Sequence, residues 1–380
     1  MKQSSTQTSR KASQRRGEKV STPAGQKVHE LIKLGVDTHG GQYTFARMID
    51  HQGMQPPQKL SPDAFVTFLQ KQLTLAKHVV MVYEAGPYGF ALYRQASELG
   101  IECLVCAPER LSRGRKRVND KIDARELLSR LDRHLAGNDT ALRLVRVPTL
   151  QQEISRRKAR ERNTYRKERQ RWISRGRSLL HTLGVSRPGR WWELSRHQEL
   201  MKQIKGRYGQ EVLEQIQPEL DRYLEMIQML EKKLHELTAQ LCQSAQQRSK
   251  ERIKGIGYLS SELLDREVGD WSRFANRRQV ASYTGLCPGE ESSGDTQMSL
   301  SIDKQGNHRL RAVLVELAWL LPRFQPDYRR LARWKWVFEK GGKAMRKKAA
   351  VALARQLAVD LWRIKTGRAK PQELGLKLAA

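Results

Sequence analysis

Five consecutive apolar residues, Val79-Val80-Met81-Val82-Tyr83, constrain the fold more than any other feature of this sequence. A strand with one wet face alternates polar and apolar side chains, so a run with no polar member belongs where both faces of a sheet are covered. The flanking segments supply the covering layers. Ser61-Pro62-Asp63 offers a capping hydroxyl, a first-turn proline and an acid for the positive end of a helix dipole. Phe65, Phe68, Leu69, Leu73 and Ala76 then form one apolar helical face. A second helix is expected from near Pro87 to Gly100, a strand over Ile101 to Cys106, and a third helix from about Asp120. Upstream, a short strand from near Val28 closes on Leu34-Gly35-Val36-Asp37, and Gly40-Gly41 turns the chain into a strand over Tyr43 to Ile49. Pro56-Pro57 suits only an edge position in a third strand. Three meandering strands followed by alternating helices and strands make an α/β layer on a mixed sheet.

Beyond about Leu150 the pattern turns helical, so the expected fold class is α/β plus all-α. Leu150 to Leu183 carries Arg156, Arg157, Lys158, Arg160, Arg162, Arg166, Lys167, Arg169 and Arg171 against few acids, a sign imbalance that favours phosphate contact. Leu220, Tyr223, Ile227, Leu230, Leu234, Leu237 and Leu241 recur at spacings of three and four. Such a seam either joins two copies as a coiled coil or packs on helices of the same chain. Gly255-Ile256-Gly257 resembles the hairpin of a helix-hairpin-helix element, where small residues let backbone N–H groups approach a phosphate. Gly285 to Gly306 reads as a polar loop, and Asn307 to Leu321 as a helix. Trp334 and Trp336, among the cations of the tail, suit an aromatic core or base stacking. The expected divisions are a disordered basic arm (1–29), a mixed-sheet domain (30–149), a basic helix with coiled coil (150–250), a helical domain (251–345) and a basic C-terminal helix (346–380). The arm is either a solvated tail or a grip on nucleic acid.

Charge identifies the class of partner. Lys plus Arg number 71 against 40 Asp plus Glu, a formal net charge of +31, which points to a polyanion. A membrane surface is disfavoured. No apolar run approaches the roughly 18 residues of a spanning helix, and the stretch from Leu314 to Leu321 contains Glu316 and ends at Pro322. No apolar signal segment is evident at the start. Four cysteines are too few for a disulfide scaffold, so a reducing cytoplasm is expected, with Cys103 and Cys106 as core residues.

The acids of the mixed-sheet domain carry the chemistry. Asp37 ends the first strand, Glu84 ends the apolar one, and Asp120 and Asp123 share a helix face. In a ribonuclease-H strand order the first two strands are neighbours, and four carboxylates would converge. Without a cation such a cluster repels itself. Hard oxygen ligands suit Mg²⁺ or Mn²⁺, and two such ions about 4 Å apart stabilise both oxygens of a phosphodiester displacement. The competing reading is that each acid caps a helix or pairs with an arginine. Arg125 is placed to steady a substrate backbone, whereas His39 and His308 read as solvated or hydrogen-bonding.

Three segments, Leu34-Gly-Val-Asp37-Thr-His39, Val82-Tyr-Glu84-Ala-Gly-Pro-Tyr88 and Asn119-Asp120-Lys-Ile-Asp123-Ala-Arg125, resemble the DEDD transposases of insertion sequences. These form the IS-one-ten group, with its IS-eleven-eleven branch. The resemblance continues through Gly255 and Gly257, Gln279 to Pro288, Ser292-Ser293-Gly294, and Lys304-Gln-Gly306-Asn307-His-Arg309-Leu-Arg311. It implies an RNase H/RuvC-like domain, a coiled-coil insert and a helical C-terminal transposase domain. It further implies recombination of element-end and target DNA directed by a noncoding guide RNA, by homodimers that pair into a tetrameric synapse in the bacterial nucleoid. Asp37, Glu84, Asp120 and Asp123 match the metal tetrad and Ser293 the nucleophile, with Ser292 as its neighbour. Nucleic-acid contact is expected at Arg125, Arg156, Arg157, Arg160, Lys167, Gly255, Gly257, Lys304, Asn307, Arg309 and Arg311. Two alternatives stay open: a RuvC-like junction nuclease using water, and a decayed, non-catalytic binding protein. Gly40 and Cys287 depart from the family's usual residues.

Overall fold

A computed structural model describes residues 28–108, 119–248, 251–293 and 296–379; within 290–300 only backbone is described. The expected basic arm lies almost wholly outside the described residues. The chain forms two compact units, the first ending at Val147 and the second starting at Pro148.

The first unit follows the expected order: β1 (His29–Thr38), β2 (Tyr43–Ile49), β3 (Gln58–Leu60), α1 (Pro62–Leu75), β4 (Ala76–Glu84), α2 (Ala91–Glu98), β5 (Glu102–Cys106) and α3 (Asp120–Leu135). The strands lie in the order β3-β2-β1-β4-β5. β1 runs antiparallel to β2 and parallel to β4, and β4 is parallel to β5. The sheet is therefore mixed, and β1 and β4 are neighbours, as expected. Pro56-Pro57 precedes the short edge strand rather than lying in it, and α2 starts four residues after Pro87. Ser61 caps α1 by accepting from the Ala64 N–H.

The period of two along a strand sorts side chains between the faces. Ile32, Leu34 and Val36 of β1 join Val79, Met81 and Tyr83 of β4 in a core with Phe65 and Leu69 of α1. Val80 and Val82 pack instead with Leu127 and Leu131 of α3. By the same alternation Asp37, two residues past Gly35, and Glu84, two past Val82, belong to the face that α3 covers. Gly35 lets α3 come close: a Cβ there would stand 2.3 Å from the Leu128 backbone nitrogen and 2.5 Å from the Ala124 carbonyl oxygen. Helix backbone cannot yield as a side chain can. Gly35→Ala is expected to cost about 1–3 kcal/mol, read as a lower denaturation midpoint, and to push the start of α3 away from Asp37.

The second unit contains α4 (Leu150–Thr182), α5 (Leu194–Tyr208), α6 (Gln210–Arg248), α7 (Tyr258–Val268), α8 (Arg277–Thr284), β6 (Pro288–Ser293), β7 (Thr296–Ile302), α9 (His308–Phe324), α10 (Lys335–Lys340) and α11 (Lys343–Lys365). Thr149 and Gln152 form a capping box at the start of α4. α4 and α6 pair antiparallel: Arg162 donates to Thr238 at 2.7 Å, and Arg169 reaches Glu231. Leu220, Ile227 and Leu230 of the expected seam are buried within this chain, and Leu220 and Ile227 pack with Ile173 and Leu180 of α4. That is the same-chain reading of the heptad pattern; Leu234 and Leu237 stay half-buried. Trp191 is wholly buried, donates to the Ile173 carbonyl at 2.9 Å and lies where a Cβ on Gly176 would fall.

One core then runs from Ile253 to Leu376, with α9 and α11 at its centre. The segment Gly285 to Gly306, expected as a loop, holds the antiparallel hairpin β6–β7. The first strand is polar throughout from Gly289 to Ser293, whereas Met298, Leu300 and Ile302 of the second alternate at the strand period, a signal that a loop reading passes over. Helix α9 runs past Pro322 to Phe324, since a proline in the last turn disturbs few helical bonds. Trp336 is exposed rather than core.

Candidate active site

Three described side chains, Asp37, His39 and Asp120, present oxygen or nitrogen atoms that all lie within 4.8 Å of one another. Each arrives by a different local rule. Asp37 is the penultimate residue of β1 on the α3 face. His39 follows two residues later, as β1 gives way to the turn. Asp120 opens α3, whose N-cap Asn119 accepts from the Lys121 N–H. Asp123, also in the first turn, acts on Asp37 electrostatically.

Burial and neighbouring charge set the Asp37 and Asp120 carboxyls apart. Burial pushes the Asp37 carboxyl above its ordinary range; His39 opposes that, and Asp120 and Asp123 add to it. Asp120 is held low by the hydrogen bond from Lys59, at 2.9 Å. Lys59 lies on the edge strand β3, which pairs with β2 at Thr44. Glu84 ends β4 one position beyond the Val36–Tyr83 pair, level with Asp37. Its carboxylate stands 3.7 Å from the Arg130 guanidinium, itself nearly buried and bonded to the Ala141 carbonyl. The sheet therefore brings the four predicted acids to one end and one face. In this conformation Asp37 and Asp120 meet, while Glu84 faces Arg130.

The donor set suits a divalent ion: two carboxylates and an imidazole within 4.8 Å of one another, with Asp123 also in the first turn of α3. Lys59 is the competing cation. Lys59→Met is expected to tighten Mn²⁺ binding several-fold, roughly the loss of one nearby like charge at a half-exposed site, measured by titration of the intact chain. Unchanged affinity would mean that Asp120 is not a ligand. His39 was read from sequence as a solvated or hydrogen-bonding histidine rather than a ligand, and Lys59 was not singled out. The spacing Asp37-Thr38-His39 was a usable signal, because alternate residues of a strand share one side; nothing local marked Lys59.

In the second unit, Ser293 is the last residue of β6, its backbone paired with Thr296 of β7, and Ser292 pairs with Gln297. The hairpin rises from a tightly clamped base. A Cβ on Gly306 would stand 2.3 Å from the Gly285 nitrogen, and Arg311 donates to the Thr284 and Lys304 carbonyls. Lys304 holds a positive φ of 63°. Gly306→Ala is expected to destabilise the second unit by about 2–4 kcal/mol, since backbone stands on both sides of the added methyl; a calorimetric midpoint measures it.

Several predicted nucleic-acid contacts are committed within the protein. Asn307 caps α9 and donates to buried Glu267 at 2.8 Å; Arg160 reaches the same carboxylate, and Arg156 bonds the Arg266 carbonyl. Gly255 adopts φ 86° against Phe324, and Gly257 is the N-cap residue of α7. Arg157, Lys167 and Lys304 are exposed, and Arg309 is half-buried. Arg125 is exposed on α3 one turn beyond the acids.

Comparison with known proteins follows the same lines. Residues 249–333 match the transposase family IS116/IS110/IS902. A Sinorhizobium fredii protein named "Putative transposase y4rJ" is 34% identical over 305 residues, 75% of this chain and 76% of its own length. The transposase for insertion sequence element IS1111A of Coxiella burnetii is 36% identical over 118 residues, 30% of this chain and 31% of its own. Among the described residues no helix is long and apolar enough to cross a membrane.

Proposed function

Since the chain belongs to the IS116/IS110/IS902 family of insertion-sequence transposases, and so is an enzyme that recombines DNA, we propose that it cuts and rejoins strands through Ser293 with the acidic set of its first unit. The observation that carries this reading is the clustering of Asp37, His39 and Asp120 at the carboxyl end of the central strands, with Glu84 level beside them. Asp37, Glu84, Asp120 and Asp123 would hold Mg²⁺ or Mn²⁺. Bound there, the metal supplies a lowered hydroxyl pKa and charge neutralisation at a phosphate. Asp37 and Asp120, negative like the phosphate, would act on it only by holding the cation, and Arg125 would steady the flanking backbone. The Ser293 Oγ attacks the scissile phosphorus, loses its proton, and displaces the 3′ oxygen, leaving a phosphoserine ester and a free 3′-hydroxyl. A 3′-hydroxyl on a new partner strand then attacks the ester and releases the serine. The ester conserves the bond energy, so rejoining needs no nucleotide cofactor.

In this reading base pairing with a noncoding guide RNA selects the DNA, and the basic face of α4 holds backbones by charge. Assembly is a homodimer, tetrameric when two DNA partners are brought together. The test is incubation of the full chain with element-end DNA, guide RNA and Mg²⁺, followed by a denaturing gel for protein–DNA adduct. Cleavage without adduct would favour a junction nuclease that uses water. Mixing Asp37→Ala with Ser293→Ala subunits asks whether acids and serine act across protomers. Restored strand transfer is expected if they do, and none if they act within one chain.

A further inference from the structure

The second unit contains a cavity of about 340 Å³ between α4, α7 and α9, at the small end of the range for small-molecule sites. Leu263, Val313 and Ala159 give it apolar walls, Asn163 and Ser260 add hydrogen-bonding groups, and Glu316 adds a carboxylate that acts on Arg162. Arg166, Lys167 and Arg309 also line it, and none of the three forms an ion pair with an acid among the described residues. The nearby acid Glu267 is already engaged by Arg160 and Asn307. Arg162 is engaged by Thr238 at 2.7 Å. Arg166 donates only to Asn163, at 3.2 Å, and the Arg309 Nε is buried without a hydrogen-bond partner. Burial, then Arg309, Lys167 and Arg311, hold His308 below its ordinary range, so the neighbourhood resists further positive charge. A buried guanidinium nitrogen without a hydrogen-bond partner, beside two exposed cations that no acid among the described residues pairs, makes this a place where an anion gains contacts.

We propose that this cavity takes one unstacked nucleotide of a nucleic-acid strand, with its phosphate on Arg166, Lys167 and Arg309 and its base against Leu263 and Val313. A bare phosphate would satisfy the cations but leave the apolar walls wet; a duplex would meet the cations but could not enter. An extrahelical nucleotide does both, as in other proteins that read splayed bases. The inference needs only that the family handles nucleic acid, and depends on neither Ser293 nor a metal.

The test is fluorescence anisotropy of the full-length chain in EDTA, which separates this binding from the cutting reaction. Labelled probes are a fully paired DNA duplex, the same duplex with one extrahelical nucleotide, and an RNA hairpin with the same bulge. A bulged probe should bind at least about tenfold more tightly than its paired counterpart. The preferred sugar identifies which strand the site serves. Ala312 lines the cavity from the exposed side of α9, so Ala312→Phe should fill it and erase the preference while paired-duplex affinity holds. Should that variant fail to fold, Arg166→Ala with Lys167→Ala should reduce the preference by a similar factor. Equal affinity for paired and bulged probes overturns the proposal, as does a preference that survives these substitutions.

Discussion

Replacing Ser293 with alanine is expected to abolish covalent protein–DNA adduct and to reduce strand transfer by on the order of 10⁵-fold or more, the scale on which deleting a nucleophile acts. Ser292→Ala is the control. The two serines are consecutive in β6, their backbones paired with Thr296 and Gln297 of β7. If Ser293 is the nucleophile, Ser292→Ala should retain the adduct. If Ser293→Ala cleaves DNA normally, water is the nucleophile. If the two substitutions exchange effects, Ser292 is the nucleophile. Because alanine removes a single oxygen from a strand end, folding should be unaffected and circular dichroism should match the parent.

Asp37→Asn should be nearly as damaging, at least about a thousandfold in strand transfer, the equivalent of several kcal/mol of transition-state stabilisation. The amide keeps the shape and removes the charge. Asp37 is the half-buried member of the cluster, whose pKa is raised mainly by burial and further by Asp120 and Asp123. Removing its charge therefore relieves the cost of burying a carboxylate and its repulsion from Asp120 and Asp123, and Asp37→Asn should not lose thermal stability. Weaker Mn²⁺ binding at unchanged stability is the diagnostic pair. Activity that persists in the variant and in chelator would mean that the acids are structural. His39→Ala tests the neighbour that the sequence reading took as solvated or hydrogen-bonding, with a smaller loss of metal affinity expected, because the carboxylates remain.

Much of the first unit was legible because its signals are local. The Val79–Tyr83 run, the Ser61 cap and the alternation around Val36 depend on residues within a few positions of one another, and β1, β2, β4 and α1 follow them closely. The register of Asp37 and Glu84 followed once β1 and β4 were neighbours, since both are strand ends in a parallel pair. The hairpin β6–β7 was only partly legible: Gly289 to Ser293 is polar without a period, but the alternation of Met298, Leu300 and Ile302 in β7 was a usable strand signal.

Sequence alone determined which residues have helical or strand character, that the chain carries a large positive charge, and that acids stand at strand ends and in the first turn of α3. The tertiary structure decided which groups meet. It set Lys59 of an edge strand against Asp120, turned Glu84 toward Arg130, matched the α6 seam with α4, and left Arg309 beside a cavity with no partner for its Nε. These pairings join residues tens of positions apart. They are fixed by which faces pack and how closely, as Gly35 permits for α3, and no short window of sequence encodes that distance.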